Sequence, residues 1–215
     1  SGTRRLILDG PTVTARRTAA VSALAARRLA PNADGPMLIV GAGVQGRAHV
    51  EVFDAVMNVR RFLIASRSPA SAQALVDHAR TLGLQAEVVL DADAALADCP
   101  LAATCTPASG VVLRALPRPD AFIAAVGAFT PQMVELGPEL CRHVAAHGRI
   151  LLDARDAEHE AGDLLQAGLA VAGLPTLGDV VTAGEAPRRG PVLFKSCGWA
   201  GWDLAAARQA AFSLQ

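Results

Sequence analysis

Three glycines, Gly41, Gly43 and Gly46, stand in the run GAGVQG, directly after the apolar stretch MLIV and before a helix-compatible segment. In a strand–turn–helix unit that spacing has a chemistry. Gly41 permits the tight turn, Gly43 lets the backbone approach a pyrophosphate, and Gly46 lets the helix pack closely on the sheet. The helix start then offers unpaired N–H groups and partial positive charge to phosphates. The motif predicts a nicotinamide dinucleotide, with a flavin, another nucleotide or packing alone as the alternatives it leaves open. An NAD site carries Asp or Glu about 20 residues further on, to hold the ribose 2′-hydroxyl. This chain has Ser66-Arg67-Ser68 there. An acid would repel a 2′-phosphate, whereas hydroxyls and a guanidinium donate hydrogen bonds to it. NADP(H) is therefore expected in preference to NAD(H), although Ser68 ahead of Pro69 also reads as a helix cap. Arg17 is the third candidate, because a planar guanidinium grips a carboxylate with two parallel bonds. Its alternative is a solvated helix arginine, which also describes Arg16.

Elements must position these residues. Short, continuously apolar runs predict strands over 37–41, 61–66, 85–90, 100–106, 120–128, 149–154 and 191–196. Helices are expected over 12–31, 44–57, 68–83, 91–99, 138–148, 156–168 and 199–212. Thr12 or Thr14 is the expected cap of the first helix, and residues 4–9 read as a short strand before it. Residues 177–191 read as a polar excursion carrying glycine and proline. Strands buried on both faces, alternating with helices, predict an α/β fold with a doubly wound, Rossmann-type parallel sheet. The expected organisation is residues 1–33 as part of a substrate domain with a connecting helix, 34–190 as the dinucleotide-binding domain, and 191–215 as a last strand and helix returning to the substrate domain.

Composition excludes several classes. Of 215 residues, 52% are hydrophobic and 19% charged, which excludes a disordered chain. The formal net charge is zero and the arginine pairs are scattered, so no nucleic-acid footprint is expected. No apolar run is long enough to cross a bilayer. Cys99, Cys105, Cys141 and Cys197 form no CxxC pair, and reduced thiols in a cytoplasmic protein are expected. His143 and His147, four apart beside Cys141, have spacing that suits a metal, but no second ligand set accompanies them and no metal is expected. The acids Asp156, Glu158, Glu160 and Asp163 around His159 read as a helix start complementing the dipole.

Several stretches resemble one family in order along the chain. RRTAAVSALAARRLA, LIVGAGVQGRAHVE, ATCTPASGVVL, AAVGAFTPQMVEL, EAGDL and LFKSCGWAGWDLAAA are similar to segments of the ornithine cyclodeaminase/mu-crystallin family. By motif, the resemblance implies that Arg17 holds a substrate carboxylate and Thr18 touches the cofactor phosphates. It implies that Val44 and Gln45 cover the pyrophosphate and that Ser66, Arg67 and Ser68 surround the 2′-phosphate. Thr106, Val126, Ala128 and Cys197 would lie along the nicotinamide half. Family members are longer at the N-terminus, in a part that supplies a catalytic lysine and a second arginine, so the chain is expected to be a fragment or a shortened member. Its one lysine, Lys195, sits in the FKS motif and is expected to be structural or near the site. Where cyclodeaminases carry an aspartate, this chain has Phe129. A carboxylate suits an amine substrate as base and counter-charge. Phenylalanine suits the apolar ring of an imine, with core packing as the alternative. The resemblance thus implies reduction of a small cyclic imino acid, Δ1-pyrroline-2-carboxylate or Δ1-piperideine-2-carboxylate, to the L-amino acid. The proton would come from water or from the N-terminal part. The alternatives are an NAD-dependent ornithine cyclodeaminase and a mu-crystallin-like NADP-binding protein without strong catalysis. A homodimer is expected for the full-length form.

Overall fold

The computed structural model describes residues 6–107 and 109–213. In chain order the strands are β1 (Met37–Val40), β2 (Arg61–Ala65), β3 (Gln85–Val88), β4 (Leu101–Thr104), β5 (Ser109–Leu113), β6 (Phe122–Ala125), β7 (Val134–Leu136), β8 (Arg149–Leu152) and β9 (Val192–Lys195). The helices are α1 (Gly10–Leu29), α2 (Val44–Met57), α3 (Pro69–Thr81), α4 (Ala92–Leu96), α5 (Pro138–His147), α6 (Gly162–Gln166), α7 (Leu177–Ala183) and α8 (Ala200–Phe212). Seven strands form one sheet in the order β3-β2-β1-β4-β6-β9-β8, and every pairing in it is parallel. β5 and β7 pair separately, also in parallel.

β1, β4, β6 and β9 are buried at every residue, as a central parallel strand must be. Alternation divides their side chains between two cores. Met37 and Ile39 join residues of α1, α2, α3 and α7, while Leu38 and Val40 join residues of α4, α5 and α6. The strand order reverses between β1 and β4, and the crevice outside their carboxyl ends is where doubly wound sheets bind ligands.

The expected sheet is present, and its departures have local causes. Residues 6–9 form no strand, and residues 4 and 5 lie outside the described residues. α1 starts earlier than expected. Asp9, not Thr12 or Thr14, caps it: Asp9 Oδ2 accepts the Thr12 N–H at 2.9 Å, with Pro11 in the first turn. The helix expected over 156–168 is broken. A 3-10 turn covers Arg155–His159 and α6 follows, because Gly162 is pressed against the carbonyls of Thr130, Pro131 and Met133 with no room for a Cβ. The segment read as a polar excursion contains α7, opened by a capping box between Thr176 and Asp179. β9, grouped above with the C-terminal helix, lies inside the sheet between β6 and β8.

Candidate active site

The glycine turn is built as its spacing requires. Gly41 has φ +112°, and a Cβ there would stand 2.5 Å from the Cys105 carbonyl oxygen at the end of β4. A Cβ on Gly46 would overlap the Gly41 carbonyl, so only glycine lets α2 lie this close to the turn. Gly43 is different: nothing stands within 4 Å of its Cβ position. It is the N-cap of α2, and no side chain caps that helix. The first N–H groups of α2 thus face an open cleft, the arrangement that receives a phosphate. The cleft has a volume of about 940 Å³, and Gly43, Val44, Gln45, Ser66, Arg67 and Thr106 are among the residues that line it. The Gln45 side-chain oxygen is buried in its wall without a hydrogen-bond partner among the described residues. An open glycine, an uncapped helix start and an orphaned amide oxygen fit a dinucleotide.

The end of β2 forms the next wall. Ser68 caps α3, its Oγ accepting the Ser71 N–H at 3.3 Å, and Ser66 Oγ accepts the Ser68 N–H at the same distance. Arg67 is exposed and has no ion pair among the described residues. The cap reading of Ser68 is therefore right, and it leaves Arg67 available.

Beyond the switch point a buried polar network joins the ends of four strands. The Glu135 carboxylate is fully buried. Its Oε1 accepts the Thr106 N–H at 2.7 Å and the Thr106 hydroxyl at 2.8 Å, and its Oε2 accepts the Thr104 hydroxyl at 2.9 Å and the Gly127 N–H at 2.7 Å. Burial pushes this carboxyl above its ordinary value, against those donors and the charge of Lys195. Asp163 Oδ1 in turn accepts the backbone N–H groups of Glu135 and Leu136, at 2.6 and 2.9 Å. Its Oδ2 pairs with Lys195 Nζ at 2.7 Å, both side chains fully buried. Lys195 also donates to the Ala128 carbonyl at 2.5 Å. Lys195 is thus held in the frame. At the end of β8, Asp153 Oδ2 accepts the Ser196 hydroxyl and the Gly198 N–H, each at 2.8 Å.

Sequence reasoning passed over Glu135 and Asp153, and it read Asp163 as a helix-dipole acid. Asp163 does open α6, but its carboxylate turns inward to β7 and β9. The signal available was EAGDL, whose glycine and aspartate sit together where the chain must press against residues 130–133.

The remaining candidates lie beside the cleft, not in its lining. Cys197 Sγ stands 3.9 Å from the Ala128 carbonyl, and burial pushes its thiol up to about 12. Val126 is half-buried, and Thr18 is buried on α1. Arg17 Nε pairs with Asp203 on α8 at 2.9 Å. A Cβ on Gly198 would be 3.5 Å from Arg17 Nη2, so the guanidinium abuts the turn held by Asp153. Phe129 is 52% exposed and lies outside the core formed by the described residues. His143 and His147 stack on each other with ring centroids 4.5 Å apart.

The model of the ornithine cyclodeaminase/mu-crystallin family matches residues 1–212. Delta(1)-pyrroline-2-carboxylate reductase 2 of Burkholderia ambifaria is 36% identical over 215 residues, covering 100% of this chain and 67% of its own length. The Delta(1)-pyrroline-2-carboxylate/Delta(1)-piperideine-2-carboxylate reductase of Azospirillum brasilense is 37% identical over 214 residues, with the same coverage. Among solved structures, the Delta(1)-pyrroline-2-carboxylate reductase of Thermococcus litoralis, in complex with NADH and L-proline, superposes with a TM-score of 0.82 at 26% identity. That match covers 94% of this chain and 65% of the other. The chain spans about two thirds of the length of these relatives.

Proposed function

The chain belongs to the ornithine cyclodeaminase/mu-crystallin family, and on that premise we propose that it takes part in reducing a small cyclic imino acid to the L-amino acid with a nicotinamide dinucleotide. The substrate class is Δ1-pyrroline-2-carboxylate or Δ1-piperideine-2-carboxylate, and the preferred cofactor is NADP(H). One observation carries the reading: an open, uncapped α2 start at Gly43 adjoins a β2 end that presents Arg67 and two serines to the same cleft. The names of the two bacterial relatives support the substrate class.

A reduced nicotinamide supplies hydride; the chain's own residues bind, orient and exclude water. The N–H groups at the start of α2, with Val44 and Gln45 beside them, would hold the pyrophosphate. Ser66, Arg67 and Ser68 hold the 2′-phosphate. Thr106, Val126, Ala128 and Cys197 would hold the nicotinamide half, and Thr18 would meet the phosphates. Arg17 is fixed through Nε by Asp203, which leaves its two terminal nitrogens to grip the substrate carboxylate. Phe129 offers an exposed apolar face to the substrate ring and has no atom that accepts a proton, which favours an imine over an amine. Four free cysteines, three of them buried, support a reducing, cytoplasmic setting.

The test follows the nicotinamide absorbance of the chain with NADPH and Δ1-pyrroline-2-carboxylate, beside NADH and beside L-ornithine with NAD. Imine-dependent oxidation of NADPH is the expected outcome. Ammonia released from ornithine without imine reduction makes the protein a cyclodeaminase. Binding of NADPH without turnover limits the reading of this chain to dinucleotide binding.

A further inference from the structure

All four candidate nicotinamide-side residues lie on or beside an anchor of the buried network. Thr106 donates to Glu135 through both its N–H and its hydroxyl. Val126 and Ala128 flank Gly127, whose N–H is held by Glu135 Oε2. Ala128 also accepts from Lys195, and Cys197 follows Lys195 by two residues. The glycine-rich turn and the β2 end make no bond to this network among the described residues. A Cβ on Gly127 would collide with the Glu135 carboxylate, so the approach of the two is built into the backbone.

We infer that Glu135 is a positioning residue for the nicotinamide half of the cofactor, setting the spacing between the β4 and β6 ends without touching the ligand. The inference rests on the dinucleotide reading above. Each Glu135 oxygen receives a backbone N–H, which can only donate, so both oxygens must accept. Glutamine keeps one accepting oxygen and turns an NH2 group toward either Thr106 or Gly127. One buried N–H then faces another donor, and the two strand ends move apart. The adenine end, held by other residues, keeps its geometry.

The experiment compares the unaltered chain with Glu135→Gln, using two ligands. NADPH is titrated by the emission of its reduced nicotinamide. The adenine half alone, 2′-phospho-ADP-ribose, is titrated by calorimetry. The expected result is an NADPH affinity lower by about tenfold, the loss of one good buried hydrogen bond, with an altered emission maximum. Affinity for the fragment stays within about twofold. Equal losses for both ligands mean a general structural role and overturn the inference, as does unchanged NADPH binding and emission. If Glu135→Gln does not fold, Thr104→Val decides. It removes one hydroxyl and keeps both backbone bonds, and a smaller loss confined to NADPH is expected; no difference between the two ligands overturns the inference. An unaltered chain that binds the fragment and NADPH keeps the dinucleotide reading whatever the variants do. One that binds neither overturns that reading, and the inference with it.

Discussion

Arg67 and Ser68 are neighbours at the end of β2, both lining the cleft, and Ser68 has a second duty. Ser68 spends its oxygen on the Ser71 N–H at the start of α3, while Arg67 has no ion pair among the described residues and stands exposed at the cleft. A cation without an ion-pair partner among the described residues, beside hydroxyls and in the cleft that a helix start also lines, is ready for a dianionic phosphate. Arg67→Asp replaces attraction with repulsion at that point. Its NADPH affinity should fall about a hundredfold, the weight of a charge-assisted bond, with NADH affinity changed by less than about threefold. Titrations with the two cofactors check this, and parallel losses would remove Arg67 from the 2′-phosphate site. The place of Arg67 at the cleft was legible in the sequence because it is set locally, by the end of the strand after the glycine turn. Glu135, Asp163 and Asp153 were not legible. Their duties lie in bonds to distant residues: Asp153 reaches Ser196, 43 positions on, and Asp163 reaches the backbone of Glu135, 28 positions back. No spacing along the chain announces such pairs; the parallel crossovers create them.

At the scale of elements, two glycines of one turn separate packing from binding. Gly46 sits where a Cβ would overlap the Gly41 carbonyl, whereas Gly43 has open space and an ordinary extended backbone, φ −88° and ψ −162°. Gly46→Ala must push α2 off the turn and should cost about 3 kcal/mol of stability, as overpacking does. Gly43→Ala should change stability by less than about 0.5 kcal/mol, and its methyl group would enter the open cleft, so dinucleotide affinity should fall instead. Urea unfolding and a cofactor titration on both variants make the comparison; a destabilised Gly43→Ala would show that the turn is packed more tightly than its geometry indicates. The same contrast explains which elements could be read in advance. α2 and α3 begin and end close to where their caps and periodicity put them, because those signals are carried by adjacent residues. The break before α6 came from contacts with residues 130–133, which local propensity cannot register. α7 had a local signal, the Thr176–Asp179 capping box, hidden among glycines and prolines.

The molecule as a whole depends on α1 being joined to the dinucleotide fold, because α1 carries Arg17 and Thr18 while α2 carries the phosphate turn. His49 supplies a polar contact in that join, beside the packing of Ala15 and Ala19 on Ala48 and Val52. It is fully buried; its Nδ1 bonds the Gln45 carbonyl at 2.8 Å and its Nε2 meets the Ser22 hydroxyl of α1 at 3.0 Å. Nδ1 donates its proton to the Gln45 carbonyl, and Nε2 meets a Ser22 hydroxyl that also donates to the Thr18 carbonyl at 3.1 Å. The other groups facing the ring are the Phe53 ring, with centroids 6.0 Å apart, and the Cys105 thiol, with Sγ 3.7 Å from Nδ1. Burial raises the thiol's proton affinity, so it stays neutral and offers no counter-charge. Burial accordingly lowers the His49 value from 6.5 to about 4, the Gln45 bond opposing the shift. Below pH 6.5 the unfolded chain takes up a proton that the folded chain refuses. The stability owed to neutral His49 is thus whole above that pH and is lost progressively down to about pH 4. Between pH 7 and pH 5 the loss amounts to about 2 kcal/mol. That interval lies above the ordinary carboxylate range, so His49→Gln, which cannot titrate, isolates the effect. Urea unfolding across the interval should show a slope in the unaltered chain that the variant lacks, even if the variant is less stable at pH 7. Identical slopes would mean that His49 takes up its proton over the same pH range folded and unfolded, and would overturn the buried, neutral ring as the source of the pH dependence.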